Sequence, residues 1–216
     1  MARGRAQGET MNGLNWQILD SAVLRREPFE HFHVSDALSA DCAAAVWADY
    51  PDIRDSGSYS LSDARPGPAL EALIADLESE RFKRVVERVF AIDLSDRPTL
   101  VTLRGHCSAR DGKIHTDSRS KVISLLLYLN RDWSGGEGQL RLLRDRTDID
   151  AQAVEIPASM GSLVAFRRSD RSWHGHSRYV GPRRVLQLNY LRSTRASWIG
   201  GLRHRLSALA KDRPAR

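Results

Sequence analysis

Residues 112–130 read GKIHTDSRSKVISLLLYLN, and two unlike patterns meet in them. His115 and Asp117 stand two apart. In an extended strand alternate side chains share a face, so both can reach one point in space while Thr116 faces away. Behind them Val122 to Leu129 is a continuous apolar run, the mark of a strand buried on both faces. Two such side chains do not make a site. The third candidate lies downstream, in Ser172-Trp173-His174-Gly175-His176.

Working outward, the same short-strand pattern continues. Gln139–Leu143, Val154–Pro157, Ser162–Phe166, Trp173–Tyr179 and Val185–Leu191 read as strands, with Thr99–Leu103 before the central stretch and Ile114–Asp117 within it. Gly105–Gly112, Arg131–Gly136 and Arg144–Asp150 read as turns. Short strands with turn signals roughly every 8–12 residues predict a sandwich or jelly roll. Before Pro98 the period becomes helical. Ala40–Asp49 reads as a helix capped by Ser35 or Ser39 and ended by Pro51. A second helix starts at Pro68 with Leu70, Leu73, Ile74 and Leu77 on one face. A third carries Phe82, Val85, Val86, Val89 and Phe90. Pro51–Gly67 reads as a polar surface loop, of the kind that often serves as a lid. Leu14–Phe32 reads as one or two edge strands, and Trp198–Ala210 as a last, basic helix.

The chain has 216 residues, 41% hydrophobic and 28% charged, which suits one soluble domain with terminal additions. The expected division is a disordered segment 1–13, a single domain 14–195 with its jelly-roll core at about 98–192, and a basic tail 196–216. No apolar run approaches a membrane span, and MARGRAQGETMNG lacks the apolar segment of a secretory signal. Cys42 and Cys107 are too few for a disulfide framework. A cytoplasmic protein is therefore expected. The net charge of +6 is uneven, because the basic residues concentrate from Ala165 onward. A solvated surface with a basic tail accounts for this, and so does an anionic substrate or partner drawn toward the site.

Two imidazoles and a carboxylate on one face of a metal leave open positions opposite, as in the facial triad of non-haem Fe(II) oxygenases. More motifs follow in order: Tyr128-Leu129-Asn130-Arg131-Asp132-Trp133, Gly135-Gly136-Glu137, Pro157-Ala158-Ser159-Met160-Gly161-Ser162-Leu163-Val164-Ala165-Phe166, Ser172-Trp173-His174 and Gly181-Pro182-Arg183-Arg184. At these spacings, from about Leu100 to Leu191, the sequence resembles the 2-oxoglutarate- and Fe(II)-dependent dioxygenases, the prolyl-4-hydroxylase-like branch in particular. The resemblance implies a double-stranded β-helix (a cupin-like jelly roll, mainly β with supporting helices) that holds iron at one open end. It implies His115, Asp117 and His174 as metal ligands. It gives Tyr128 and Arg183 to the distal carboxylate of 2-oxoglutarate, with Arg184 as the alternative arginine. A bidentate arginine plus a phenol suits a carboxylate in a dry pocket.

The cofactors so implied are Fe(II), 2-oxoglutarate as cosubstrate and O2, with ascorbate as a reductant such enzymes can take. The implied reaction hydroxylates a C–H bond of a small-molecule or protein (prolyl-type) substrate, releasing succinate and CO2. Arg104, His176 and Trp173 are candidates for contacting substrate or supporting the ligands. His106 reads as a supporting or surface group, and His31, His33 and His204 as incidental. Gly135-Gly136-Glu137-Gly138-Gln139-Leu140 departs from the family's Gly-Gly-Glu-Leu. Two other readings account for fewer motifs. One is a zinc site, although structural zinc is usually closed and rich in Cys or His. The other is an idle jelly roll whose basic surface contacts nucleic acid, for which no aromatic-laced basic stripe is present.

Overall fold

The computed structural model describes residues 13–193. The expectations for residues 1–12 and for the helix Trp198–Ala210 lie outside these. Between them run nine strands and five helices. β1 (His31–Val34), β2 (Tyr59–Ser60), β3 (Thr99–Cys107), β4 (Lys121–Tyr128), β7 (Leu163–Arg167) and β9 (Gly181–Leu191) form a six-stranded sheet in the order β1-β7-β4-β9-β3-β2. β5 (Leu140–Leu143), β6 (Gln152–Ile156) and β8 (His174–Gly175) form a three-stranded sheet, β6-β5-β8. Every pairing between these strands is antiparallel. The two sheets face one another as a jelly roll.

Strand alternation decides what each sheet presents. Leu125 and Leu127 of β4, Leu163 and Ala165 of β7, and Leu186 and Leu188 of β9 face outward. They pack under α2 (Ala40–Asp49), α4 (Pro68–Glu78) and α5 (Glu80–Phe90), through Val46, Leu70, Leu73, Leu77, Phe82 and Val86. Each such residue, taken fully out of water, contributes roughly 1.5–3 kcal/mol. The inner faces supply a second cluster, in which Tyr128, Val164, Phe166 and Val185 meet Leu140, Leu142 and Ile156 of the smaller sheet. The helices start where the caps direct them. Ser39 accepts from the Cys42 N–H and Ser79 from the Phe82 N–H, while Pro68 opens α4.

Several expectations are corrected. Leu14–Phe32 is not strand throughout. It holds α1 (Trp16–Asp20), one turn capped by Asn15 and seated by buried Leu19, before β1 begins. Pro51–Gly67 is not a free loop. β2 pairs with β3, α3 (Leu61–Ala64) follows, and Ser56 bridges His106. The segment is therefore stitched to the sheet edge and not hinged as a lid. β3 runs on to Cys107 through a register shift between Arg104 and His106. Ile114–Asp117 contributes only a bridge at His115, and the strand expected over Trp173–Tyr179 is confined to His174–Gly175. Among the described residues no helix is long and apolar enough to cross a membrane.

Candidate functional site

His115 and His174 face each other across an antiparallel bridge. Each backbone N–H donates to the other's carbonyl at 3.0 Å, and the rings lie 4.4 Å apart. Each Nδ1 lies against a carbonyl two residues earlier, Lys113 O at 2.8 Å and Ser172 O at 2.9 Å. A carbonyl can only accept, so Nδ1 carries the proton in both rings and each Nε2 keeps a free lone pair. Asp117 completes the group, since one ligand atom from each of the three residues lies within 4.8 Å of the others. That donor set fits a divalent metal held on one face, with fixed tautomers of the kind metal-binding histidines show.

The carboxylate is held as firmly as the rings. Lys121 Nζ donates to Asp117 Oδ1 at 2.8 Å, and Ser124 Oγ bonds Oδ2. Burial alone would raise the Asp117 carboxyl, but Lys121, His174 and the Ser124 bond outweigh it and hold the group well below the usual carboxylate range. His174 is pushed down to about 4, chiefly by burial, so it is a neutral ligand near pH 7. Neither Lys121 nor Ser124 was singled out from sequence. Their one signal is placement, at four residues and seven residues after Asp117 on the strand that also carries Tyr128.

The three residues open into a cavity of about 210 Å³, whose walls include Arg104, Lys121, His176 and Arg183. Arg183 is 4% exposed. Its Nη2 donates to the Tyr128 hydroxyl at 3.1 Å and its Nε to Gly138 O at 2.8 Å. Among the described residues no carboxylate pairs with it within 4.0 Å, so a buried guanidinium stands beside a buried phenol with its charge unmatched. Burial raises the Tyr128 phenol against the lowering pull of Arg183, which keeps it protonated. Gly138 explains the irregular glycine motif. It sits at φ +73°, and a Cβ there would lie 2.9 Å from the Tyr179 ring and 3.1 Å from Trp133. The extra residue lets the Gly138 carbonyl reach Arg183.

Arg184 faces the other way. It stacks over Trp47 at 4.0 Å and Tyr50 at 5.1 Å, on the helix side that it shares with Leu186 and Leu188. Of the two adjacent arginines, only Arg183 lines the cavity. Asn130, the last residue of the Tyr-Leu-Asn motif, ties β4 to β9 by accepting from the Arg184 N–H at 2.7 Å and donating to the Ala158 carbonyl at 2.7 Å. His176 lines the cavity but lies outside the ligand group. Burial first, then the charges of Arg183 and Arg104, push it down to about 4. Trp173 is half-buried and does not line the cavity. His106 lies against a separate depression with Arg184. His204 lies outside the described residues.

Residues 103–192 match the model of the 2OG-Fe(II) oxygenase superfamily. That match spans somewhat less than half of the chain, and over it the chain resembles that superfamily. Its fold is similar to that of three solved structures. A Pseudomonas putida prolyl-4-hydroxylase has 16% identity and a TM-score of 0.54, over 82% of this chain and 97% of that one. A prolyl 4-hydroxylase from Phytophthora capsici has 17% identity and a TM-score of 0.55, over 95% and 77%. A Trichoplax adhaerens prolyl hydroxylase, solved with a peptide fragment of the hypoxia inducible factor oxygen degradation domain, has 17% identity and a TM-score of 0.52, over 78% and 86%. No curated protein sequence matches the chain significantly. The fold is thus prolyl-4-hydroxylase-like, and the superfamily matched over residues 103–192 is one that implies Fe(II), 2-oxoglutarate and O2.

Proposed function

We propose that the protein is a 2-oxoglutarate-dependent dioxygenase that hydroxylates a C–H bond of a small-molecule or protein substrate and releases succinate and CO2. The observation that carries this reading is one cavity lined by the His115–Asp117–His174 group and by Arg183, whose unmatched guanidinium donates to the Tyr128 hydroxyl behind it. His115, Asp117 and His174 would hold the iron. Arg183 and Tyr128 would receive the distal carboxylate of 2-oxoglutarate, because a buried cation with a phenol donor is complementary to a carboxylate and poorly matched to water. Iron and cosubstrate together supply the activation of O2 that no side chain can perform.

The chain's own contribution is binding and orientation. Lys113 O and Ser172 O keep both Nε2 atoms aimed inward. Lys121 and Ser124 hold the Asp117 carboxylate, so the metal meets a rigid anion and not a rotating one. Leu126 and Leu140 line the wall and limit water near the reacting atoms. Hydrogen abstraction from carbon needs no protein base, and none is nominated.

Fe(II) and 2-oxoglutarate added without oxygen to metal-free protein should produce a weak visible charge-transfer band. Admitting oxygen should then release succinate. His174→Ala should lose both signals, and Arg183→Ala should raise the 2-oxoglutarate requirement strongly. Absence of band and succinate in the natural protein, with zinc bound tightly instead, would overturn the reading.

A further inference from the structure

Arg104 lines the cavity, and the proposed chemistry leaves it without a task. It stands at the register shift between Arg104 and His106, where β9 carries one more residue than β3, in the Arg183-Arg184 pair opposite Gly105. Such a bulge bends the strand that carries the extra residue and opens the ladder beside Arg104. A Cβ on Gly105 would overlap the Ile53 carbonyl, so the Pro51–Ser58 segment can pack over the bulge only because residue 105 is glycine. Buried Tyr50 lies 2.9 Å from the Arg104 carbonyl and 3.2 Å from that of Val185, clamping the two strands there. The consequence is that Arg104 lines the same cavity as the metal-ligating group, with Ser58 beside it.

Its hydrogen bonds are half made. Nη2 donates to Asp111 Oδ1 at 3.2 Å, and Asp111 is itself anchored by the Ser108 N–H and hydroxyl. Arg104 Nε is buried and has no acceptor. A buried N–H left without a partner is costly unless a ligand completes it. Charge points the same way. Arg104 is matched by Asp111 and Lys121 by Asp117. Once the doubly charged metal and the doubly charged cosubstrate are in place, with Asp117 committed to the metal and Arg183 to the cosubstrate, one positive charge in the cavity remains unmatched. A single carboxylate balances it. A phosphate monoester, which carries nearly two negative charges at neutral pH, would overshoot.

We infer that the substrate carries a carboxylate and that Arg104 binds it, which makes Arg104 a specificity-determining residue. The inference rests on the proposed 2-oxoglutarate chemistry, and the test separates the two. Anaerobic Fe(II)/2-oxoglutarate band formation is measured first, in the natural protein and in Arg104→Gln. A band in both is expected. No band in either defeats the oxygenase reading itself, and a band lost in Arg104→Gln alone would put Arg104 in the cosubstrate site and overturn this proposal.

Succinate release is then followed, at saturating 2-oxoglutarate, with N-acetyl amino acids and with their carboxamides as matched pairs. Acids should stimulate and amides should not. Arg104→Gln should reduce the acid preference roughly tenfold or more, and Arg104→Lys should restore part of it. Equal action of acids and amides, or an acid preference that survives Arg104→Gln, overturns the proposal. If no pair acts, the decision passes to propionate against propionamide, read on the Arg104 Nε–H resonance of the protein loaded with Zn(II) and 2-oxoglutarate. Propionate alone should shift that resonance, and an identical response to both overturns the proposal.

Discussion

The six-stranded sheet is covered on both faces, by helices outside and by the smaller sheet inside, whereas the three-stranded sheet is covered on one. Its outer side carries Arg141, paired with Glu155 at 3.0 Å, and its strands are short. The cavity lies between the two. The larger sheet supplies the parts that must not move, which are Ser124 behind the carboxylate, Tyr128 and Arg183. The smaller sheet supplies His174, and a backbone bridge to His115 makes up for the shortness of β8. Rigidity therefore comes from burial in one half and from a local hydrogen-bonded clamp in the other. A metal ion joined to both halves would add to the clamp.

The largest expected effect tests the burial half. Leu188 is fully buried in the middle strand of the larger sheet, so Leu188→Ala should cost about 2–5 kcal/mol in denaturant unfolding. Leu142 is equally buried, but its sheet is open to solvent on one side and can relax. Leu142→Ala should fall at the low end, about 2 kcal/mol. Because Leu142 lies opposite His174 in register, that variant should weaken metal binding where Leu188→Ala does not. Equal loss of metal affinity in the two would break the division of labour.

A smaller effect is expected where β4 of the larger sheet touches the metal face, through Lys121 and Ser124. Ser124→Ala removes a bond to the Asp117 carboxylate and leaves Lys121 in place. Metal affinity should drop roughly 10–100-fold, the usual consequence of losing a group that orients a ligand. The unfolding midpoint should change little by comparison. Titration with Co(II) or Mn(II) reads the first quantity and thermal melting the second. Unchanged affinity would mean that Lys121 alone holds the carboxylate.

The same division explains what could be read from sequence. The strands of the larger sheet are apolar runs such as Val122–Leu129 and Val185–Leu191, and burial on both faces writes itself into composition. β8 left no such mark. Its length is set by contacts made elsewhere, where Gly175 lies under the Gly112 carbonyl and the His176 N–H donates to it at 2.9 Å. The spacing of His115 and Asp117 was legible because side chains two apart on extended chain share a face, although only a bridge at His115 forms there. The choice between Arg183 and Arg184 was not, because alternation puts them on opposite faces without saying which face the helices cover. Lys121 and Ser124 were hidden by being common residue types. Arg104 was visible as a candidate, but its setting depends on Tyr50, on Gly105 and on the extra residue of β9, which no local pattern ties to it.

The smallest expected effect concerns acid, and it falls on the larger sheet. His33 on β1 has Nε2 2.9 Å from Ser162 Oγ, and its imidazole is pushed down to about 4, first by burial and then by the charges of Arg25 and His31. His31 beside it is also lowered, mainly by burial. The unfolded chain takes up these protons near the ordinary value of about 6.5, before the fold can. Between about 6.5 and about 4 the unfolded state therefore binds more protons, so stability is full above that window and falls as the pH drops through it. Partial solvent access at His33 screens the effect, which should appear as a melting temperature a few degrees lower at pH 5 than at pH 7. His33→Gln can keep a hydrogen bond to Ser162 and has no proton to gain. Its pH 5 to pH 7 difference should be smaller than that of the natural protein. An unchanged difference would move the acid sensitivity off the β1 edge and on to the cavity between the sheets.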